Sequence, residues 1–438
     1  MTGWSGSADR AGGSKLELRQ TSANRIAKPH FDIQLLLITY ALAIFGLIAI
    51  TAAAYSPSQD TSTVTTLFAR ITQSRSGQKQ GIFLLVSPII IAAMLSIDYR
   101  FLSNTLFANL LFFAACGLLL LVGLAGSSTN NVRGWLSLLW DYTIQPAELA
   151  KIAVIIRLAQ MLSRKENPIA SFWDFIRLGF FIALPILLIL YQGEMGSAIV
   201  FIFFFMAMIL IAGVDSRVIW GIVFGGIAAL VPIVLAMRQS GGYRFDRILG
   251  FFYPELASSD VVYQQNNSKV AVGSGGLFGQ GMFQEGSLSA LNFVPEDHTD
   301  FIFSSIGETM GFVGCMALLL LYLFLVLRMV VLAVNTQDKF GQLIIVGVLS
   351  MMMYHIFQGV GMSIGVMPVM GIPLPFVSYG GSNLTINMAG IGLVLNVTLR
   401  KPPLLTSLTA PVSQKPRVPR KGAPPPNRRE RGRAIREG

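Results

Sequence analysis

The sequence predicts an all-α polytopic membrane protein of about ten transmembrane helices, with long extracytoplasmic loops and both termini in the cytoplasm. Three observations lead there. Of 438 residues, 53% are hydrophobic and only 13% charged, against about 25% charged in an ordinary soluble domain. The apolar residues arrive in repeated blocks near the length of about 20 residues that crosses a bilayer. Alternation of period 2 is absent, which argues against an outer-membrane barrel. A length prior of about 150 residues per domain would suggest several globular units, but the apolar blocks override it. Thirty Phe and 43 Gly suit lipid-facing surfaces and close helix contacts.

Residues 1–31 are polar and mixed in charge, a cytoplasmic segment. The apolar core that follows is too long for the hydrophobic region of a signal peptide and reads as a first membrane helix. The spans fall at about 32–54, 81–97, 103–125, 146–163, 175–191, 195–213, 218–237, 303–327, 340–362 and 382–399, so 32–400 forms one membrane domain. Residues 401–438 form a basic tail rich in Pro and Arg, expected to be disordered and cytoplasmic. Eleven Lys and Arg from Arg400 onward orient it inward and suit anionic membrane lipids rather than nucleic acid. Cys116 and Cys315 lie within apolar runs and read as small buried residues, not a disulfide or metal framework.

With the amino terminus inside, inner connections are short, as in "GVDSR" at 213–217. Outer connections are long, at about 55–80, 126–145, 238–302 and 363–381. Long loops carry binding and catalysis more often than short ones, which places function at the outer face.

The longest loop holds Arg244, Arg247 and Lys269, then "GSGGLFGQG" from Gly273 to Gly281. Such a stretch either brings backbone amides to a phosphate or serves as a hinge; the Lys-Ser/Thr of a P-loop is missing. Beyond it comes "PEDHTDFIF". Glu296 and Asp297 read as solvated and His298 as shaping the turn, whereas Asp300 stands at the start of the eighth span. Asp300 has two readings: a cap on the helix amides, or a partly desolvated general base.

In the fourth span Glu148 and Lys151 share a helix face, as a structural ion pair or a substrate contact. Gln192 and Glu194 occupy the tight turn "YQGEMGS" between the fifth and sixth spans. The stretch "MPVMGIPLPFVSYGGSN", Met367–Asn383, is rich in Pro and Gly yet apolar, which suggests a broken segment lining a cavity. Ser382 either caps the tenth helix, leaving amides near Gly380 and Gly381 open to an anion, or sits in a plain turn. His355 in the ninth span reads as a hydrogen-bonded packing residue.

Five stretches together resemble the shape, elongation, division and sporulation (SEDS) family of bacterial cell-wall polymerases. They are "VRGW", "IQPAELAK", "SKVAVGSGGLFGQG", "VPEDHTDFIFSSIGE" and "GIPLPFVSYGGS", in family order over about 32–400. "GIPLPF" favours the elongation branch. Two stretches depart: "QGEMGS" stands where the family usually has "QPDLGT", and "YPELASSDVVY" where it usually reads like "DPxGxGY".

The resemblance implies a peptidoglycan glycosyltransferase of the bacterial inner membrane that polymerises lipid II into β-1,4 glycan on the extracytoplasmic face. It implies a class B penicillin-binding protein as transpeptidase partner. The essential aspartate maps onto Asp300, and Glu148, Lys151 and Arg247 are further family positions. An α-linked donor and a β product require one base for the acceptor hydroxyl and positive charge at the departing pyrophosphate. Asp300 answers the first need. Arg247, Lys151, Lys269 and Arg133 are candidates for the second, with Ser378 and Ser382 as further substrate contacts. A divalent cation, Mg or Mn, could share the leaving-group work, although no metal-ligand spacing is visible. The rival readings are a lipid II flippase or transporter, which would place ionisable residues near the midplane and show matching halves, and a non-catalytic scaffold of the wall-synthesis machinery.

Overall fold

The computed structural model describes residues 31–400 except 56–65, 130–131, 138–142, 166–167, 170, 215–217, 222–223, 227, 229–242, 257, 285–286, 289–290, 292 and 294–296. The predicted terminal segments and most of the predicted span 218–237 therefore lie outside the described residues.

Eight described helices are long and apolar enough to cross a membrane. They are α1 (Ile33–Ala53), α3 (Arg75–Ser96), α4 (Thr105–Ala125), α6 (Phe172–Gln192), α7 (Met195–Ala212), α10 (Ile302–Val334), α11 (Lys339–Ser363) and α12 (Gly381–Leu399). Shorter helices are α2 (Leu67–Gln73), α8 (Tyr243–Phe252) and α9 (Ser259–Ser274). The predicted fourth span is α5 (Pro146–Ser163), which carries Glu148, Lys151 and Arg157 yet buries fourteen of its 18 residues. Such a helix cannot face lipid. It packs on α4, α7, α11 and α12, so protein surrounds it.

Side chains close the helix ends. Asp32 caps α1 by accepting from the Leu35 amide at 2.9 Å and pairs with Arg328 of α10 at 2.6 Å. At the end of α12, Arg400 donates to the carbonyls of Ile97 at 2.7 Å and Leu95 at 2.8 Å, satisfying the last turn of α3. Cys116 and Cys315 are free and buried, as expected of small apolar-side residues.

Two segments differ from the loops expected at those positions. The connection 126–145 contains a three-stranded antiparallel sheet of β1 (Ser127–Thr129), β2 (Val132–Ser137) and β3 (Thr143–Ile144), with β2 in the middle. The glycine-rich stretch is neither an open phosphate cradle nor a free hinge. Helix α9 runs to Ser274, and the turn beyond it is laced onto an interruption in α10, where Gly311 has φ 67° and ψ −162°. The amides of Gln280 and Gly281 donate to the carbonyls of Glu308 and Thr309, and those of Phe312 and Val313 donate to Gly276 and Leu277. A broken helix in an apolar setting needs its freed backbone groups satisfied by protein, and this turn supplies the partners.

The apolar stretch 367–383 follows the same rule with side chains as partners. Gln358 donates to the Pro368 carbonyl at 2.7 Å, Tyr322 to that of Pro375 at 2.7 Å, and Asn383 to that of Leu374 at 3.3 Å. Glycines let it sit close to its neighbours. A Cβ at Gly46 of α1 would stand 2.5 Å from Val377 Cα, and one at Gly196 of α7 would stand 2.6 Å from the Met370 carbonyl. This is the broken, non-helical segment expected from its composition.

Candidate active site

Around that segment lies a cavity of about 510 Å³. Three carboxylates, Glu148, Glu194 and Asp300, line it together with Lys79, Arg247 and His355. Trp135, Gln145 and the stretches Val369–Pro373 and Tyr379–Asn383 complete much of the wall.

Asp300 precedes α10 by two residues and is partly buried. The N-cap position itself is held by Phe301 and not by Asp300. Its position is set by the rest of the acidic motif. His298 Nδ1 lies 3.0 Å from Asp297 Oδ1, the His298 ring packs on Tyr379 at 5.6 Å between centroids, and the His298 carbonyl accepts from the Tyr379 amide at 2.9 Å. Asp297 is buried, not solvated as its sequence position suggests, because it holds this histidine. Glu296 lies outside the described residues.

Arg247 of α8 meets Asp300 at Gly371, whose φ is 67°. A Cβ added there would stand 3.2 Å from Asp300 Oδ2 and 3.5 Å from Arg247 Nη1. Only glycine takes this left-handed backbone without strain while leaving room for both groups. Gly371→Ala should cost about 1–2 kcal/mol in backbone strain and displace the carboxylate. The expected outcome is a small fall in melting temperature with a much larger loss of turnover, measured on the same preparation.

Lys151 is 1% exposed and sits behind the wall rather than in it. Its Nζ donates to Glu148 Oε1 at 2.6 Å and meets His355 Nε2 at 2.9 Å. His355 Nδ1 is 2.9 Å from the Pro373 carbonyl. A carbonyl only accepts and an ammonium only donates, so the histidine is neutral, with its proton on Nδ1. The ion-pair reading of Glu148 and Lys151 thus holds, and the same chain of contacts fixes Glu148 and His355 at the cavity wall. His355 does more than pack, since it joins Lys151 to the broken segment.

The remaining candidates divide. Ser382 lines the cavity, accepting from the Gln145 amide at 3.3 Å and donating to the Thr143 carbonyl at 3.1 Å, which joins α12 to β3. No side chain caps α12, whose first residues, Gly381–Asn383, open onto the cavity. Ser378 is fully buried with its hydroxyl accepting from the Leu374 amide at 2.8 Å, so it shapes the loop and lies outside the cavity wall. Lys269 is exposed on α9, its stem over Gly365, and falls outside the cavity wall. Arg133 belongs to β2, and its side chain lies outside the described residues. Arg244 begins α8, with its side chain likewise outside them.

Sequence reasoning passed over Lys79. It lies on α3, which begins at Arg75 rather than near 81, so Lys79 reads as a pre-helical surface charge. Nothing in its sequence neighbours marks the direction it takes. Gln80 is buried and binds the 367–383 segment through the Gly380 amide at 3.3 Å, which turns Lys79 toward the cavity.

Comparison with known proteins agrees with this architecture. The family model described as FTSW_RODA_SPOVE, cell cycle protein, matches residues 33–401. The peptidoglycan glycosyltransferase MrdB of Escherichia coli K12 is 32% identical over 370 residues, covering 84% of this chain and 94% of that protein. The stage V sporulation protein E of Bacillus subtilis is 33% identical over 377 residues, covering 84% and 96%. Among solved structures, the rod shape determining protein RodA of Thermus thermophilus matches with a TM-score of 0.60 at 27% identity, over 84% of this chain and 97% of that one. A chain from work on structural coordination of polymerization and crosslinking by a peptidoglycan synthase complex matches with a TM-score of 0.69 at 27% identity, over 84% and 98%. The fold and cavity define a multi-pass helical membrane protein built around a polar pocket. Within that class, this chain belongs to the FtsW, RodA and SpoVE family, on the side of RodA.

Proposed function

We propose that this protein is a peptidoglycan glycosyltransferase that polymerises lipid II into β-1,4 glycan during cell-wall elongation, at the extracytoplasmic face of the bacterial inner membrane. The observation that carries it is the convergence of Asp300 and Arg247 on Gly371 in the cavity wall. Family membership, and relatives named as peptidoglycan glycosyltransferases, support the same reading.

The reaction is a single inverting displacement. Asp300 accepts the proton of the acceptor 4-hydroxyl as its oxygen bonds to the anomeric carbon of the donor. The bond from that carbon to the pyrophosphate breaks, and its electron pair leaves on the pyrophosphate. Arg247 and Lys79 supply positive charge there, and the open amides at the start of α12 suit the same anion. No second carboxylic acid is required, because pyrophosphate departs without protonation, unlike a sugar alcohol.

A divalent cation would neutralise the pyrophosphate when bound. The described residues include no group of three or more His, Cys, Asp or Glu placed to hold a metal. An ion carried by the pyrophosphate would need only one or two protein carboxylates, and Glu148, Glu194 and Asp300 line the cavity. A class B penicillin-binding protein is the proposed partner, supported by the match to a peptidoglycan synthase complex.

The test against a flippase uses liposomes containing the purified protein, its partner and labelled lipid II. Glycan should form. Movement of lipid II between leaflets with no polymer would overturn the reading.

A further inference from the structure

We infer that Glu194 is a substrate-binding carboxylate of this cavity, accepting a hydrogen bond from an O–H or N–H of the lipid-linked sugar. The inference rests on the glycosyltransferase reading above.

Glu194 occupies the turn between α6 and α7, outside both spans. Gly193, at φ 99°, closes α6 in the left-handed conformation, with its amide on the Leu190 carbonyl at 3.1 Å. Glu194 follows at 8% exposure and lines the cavity. By hydrogen-bond geometry neither carboxylate oxygen is satisfied among the described residues, although the Gln145 and Ser197 side chains lie close enough to lower its pKa. Leaving a buried charged acceptor without donors costs stability, more than a neutral group would.

The surroundings keep it that way. A Cβ at Gly134 of β2 would collide with the Glu194 carboxylate, so the glycine of "VRGW" leaves the room that this side chain occupies. On the other side Gly196 presses the turn against Met370, next to Gly371, where Asp300 and Arg247 meet. Glu194 and Asp300 are thus held against adjacent residues of one segment. A pyrophosphate would be repelled by Glu194 and Glu148 together, whereas the hydroxyls and acetamido N–H of a sugar are neutral donors of the kind the carboxylate lacks.

Burial pushes the Glu194 carboxyl up to about 7; Glu148 adds to the rise, while Gln145, Ser197 and Lys151 oppose it. The charged groups sharing its cavity are Glu148 of α5, with Lys151 behind it, and Lys79 of α3, Arg247 of α8 and Asp300. The ionised form is the stronger acceptor. KM should rise as pH falls through about 7, and Glu194→Gln should flatten that limb.

The experiment measures lipid II binding to the complex with its partner in an Asp300→Asn background, with and without Glu194→Gln. The added change should weaken binding about 10–100-fold, the range of one hydrogen bond to a charged group, with Glu194→Asp recovering part. The lipid-free protein should be as stable as before or more so, since an unsatisfied charge is removed. In the otherwise wild-type enzyme KM should rise while kcat stays within about threefold, because the contact exists before the transition state. A lipid II analogue with an acetoxy ester in place of the acetamido group, which keeps the carbonyl and removes the donor, identifies the bond: the Glu194→Gln penalty disappears if the N–H supplies it and persists if a hydroxyl does. Unchanged binding in a folded Glu194→Gln complex, or a stability loss without a binding loss, overturns the inference. Polymer made at close to the wild-type rate in the Asp300→Asn background would instead show that the reading beneath it fails.

Discussion

Replacing Lys151 with methionine should destabilise the protein by about 3–5 kcal/mol, the usual cost of stranding one member of a buried ion pair. The ammonium has a carboxylate at 2.6 Å and an imidazole nitrogen at 2.9 Å and is 1% exposed. Without it, Glu148 keeps a charge with no counterion, and His355 Nε2 loses its donor. Methionine fills the 1% exposed site behind the wall and offers neither group a hydrogen-bond donor. Thermal unfolding in detergent should show a large drop for Lys151→Met. The double variant with Glu148→Gln should recover much of the stability and none of the activity. A single variant as stable as wild type would mean that the pair contributes nothing to the fold.

Asp300→Asn should lower turnover by about 10²–10⁴-fold, the range for loss of a general base. The melting temperature should stay near that of wild type. The two readouts separate because Asp300 is only partly buried and asparagine keeps its size and hydrogen-bonding capacity while losing the ability to accept a proton. Glu148→Gln leaves Lys151 an acceptor and should reduce turnover less, since binding or positioning is less absolute than base function. Equal and complete loss in both variants at matched expression would overturn that ranking.

Much of this was legible beforehand, and the failures share a physical origin. Long apolar blocks announce spans because the bilayer imposes one length on them, and Pro with Gly in an apolar stretch announced the broken segment at 367–383. The interruption at Gly311 was invisible, because its hydrogen bonds run from backbone to backbone between segments distant in sequence and leave no side-chain pattern. The little sheet β1–β3 is too short to show periodicity. Direction was the other blind spot. Lys269, Ser378 and Lys79 are all polar residues beside apolar runs, yet only Lys79 faces the cavity. Their sequence neighbours do not reveal which way each side chain turns. Asp297 looked solvated for the same reason, until the contact between His298 and Tyr379 gave it a function.

The claim on which the rest depends is that the Asp300 carboxylate drives glycan formation. The direct test incubates labelled lipid II with the purified complex and follows polymer and released polyprenyl pyrophosphate together, in wild type and in Asp300→Asn. Wild type should yield both products in step, and Asp300→Asn in an intact complex should form both at least about 10²-fold more slowly. Equal amounts of glycan from the two proteins would contradict the role assigned to Asp300.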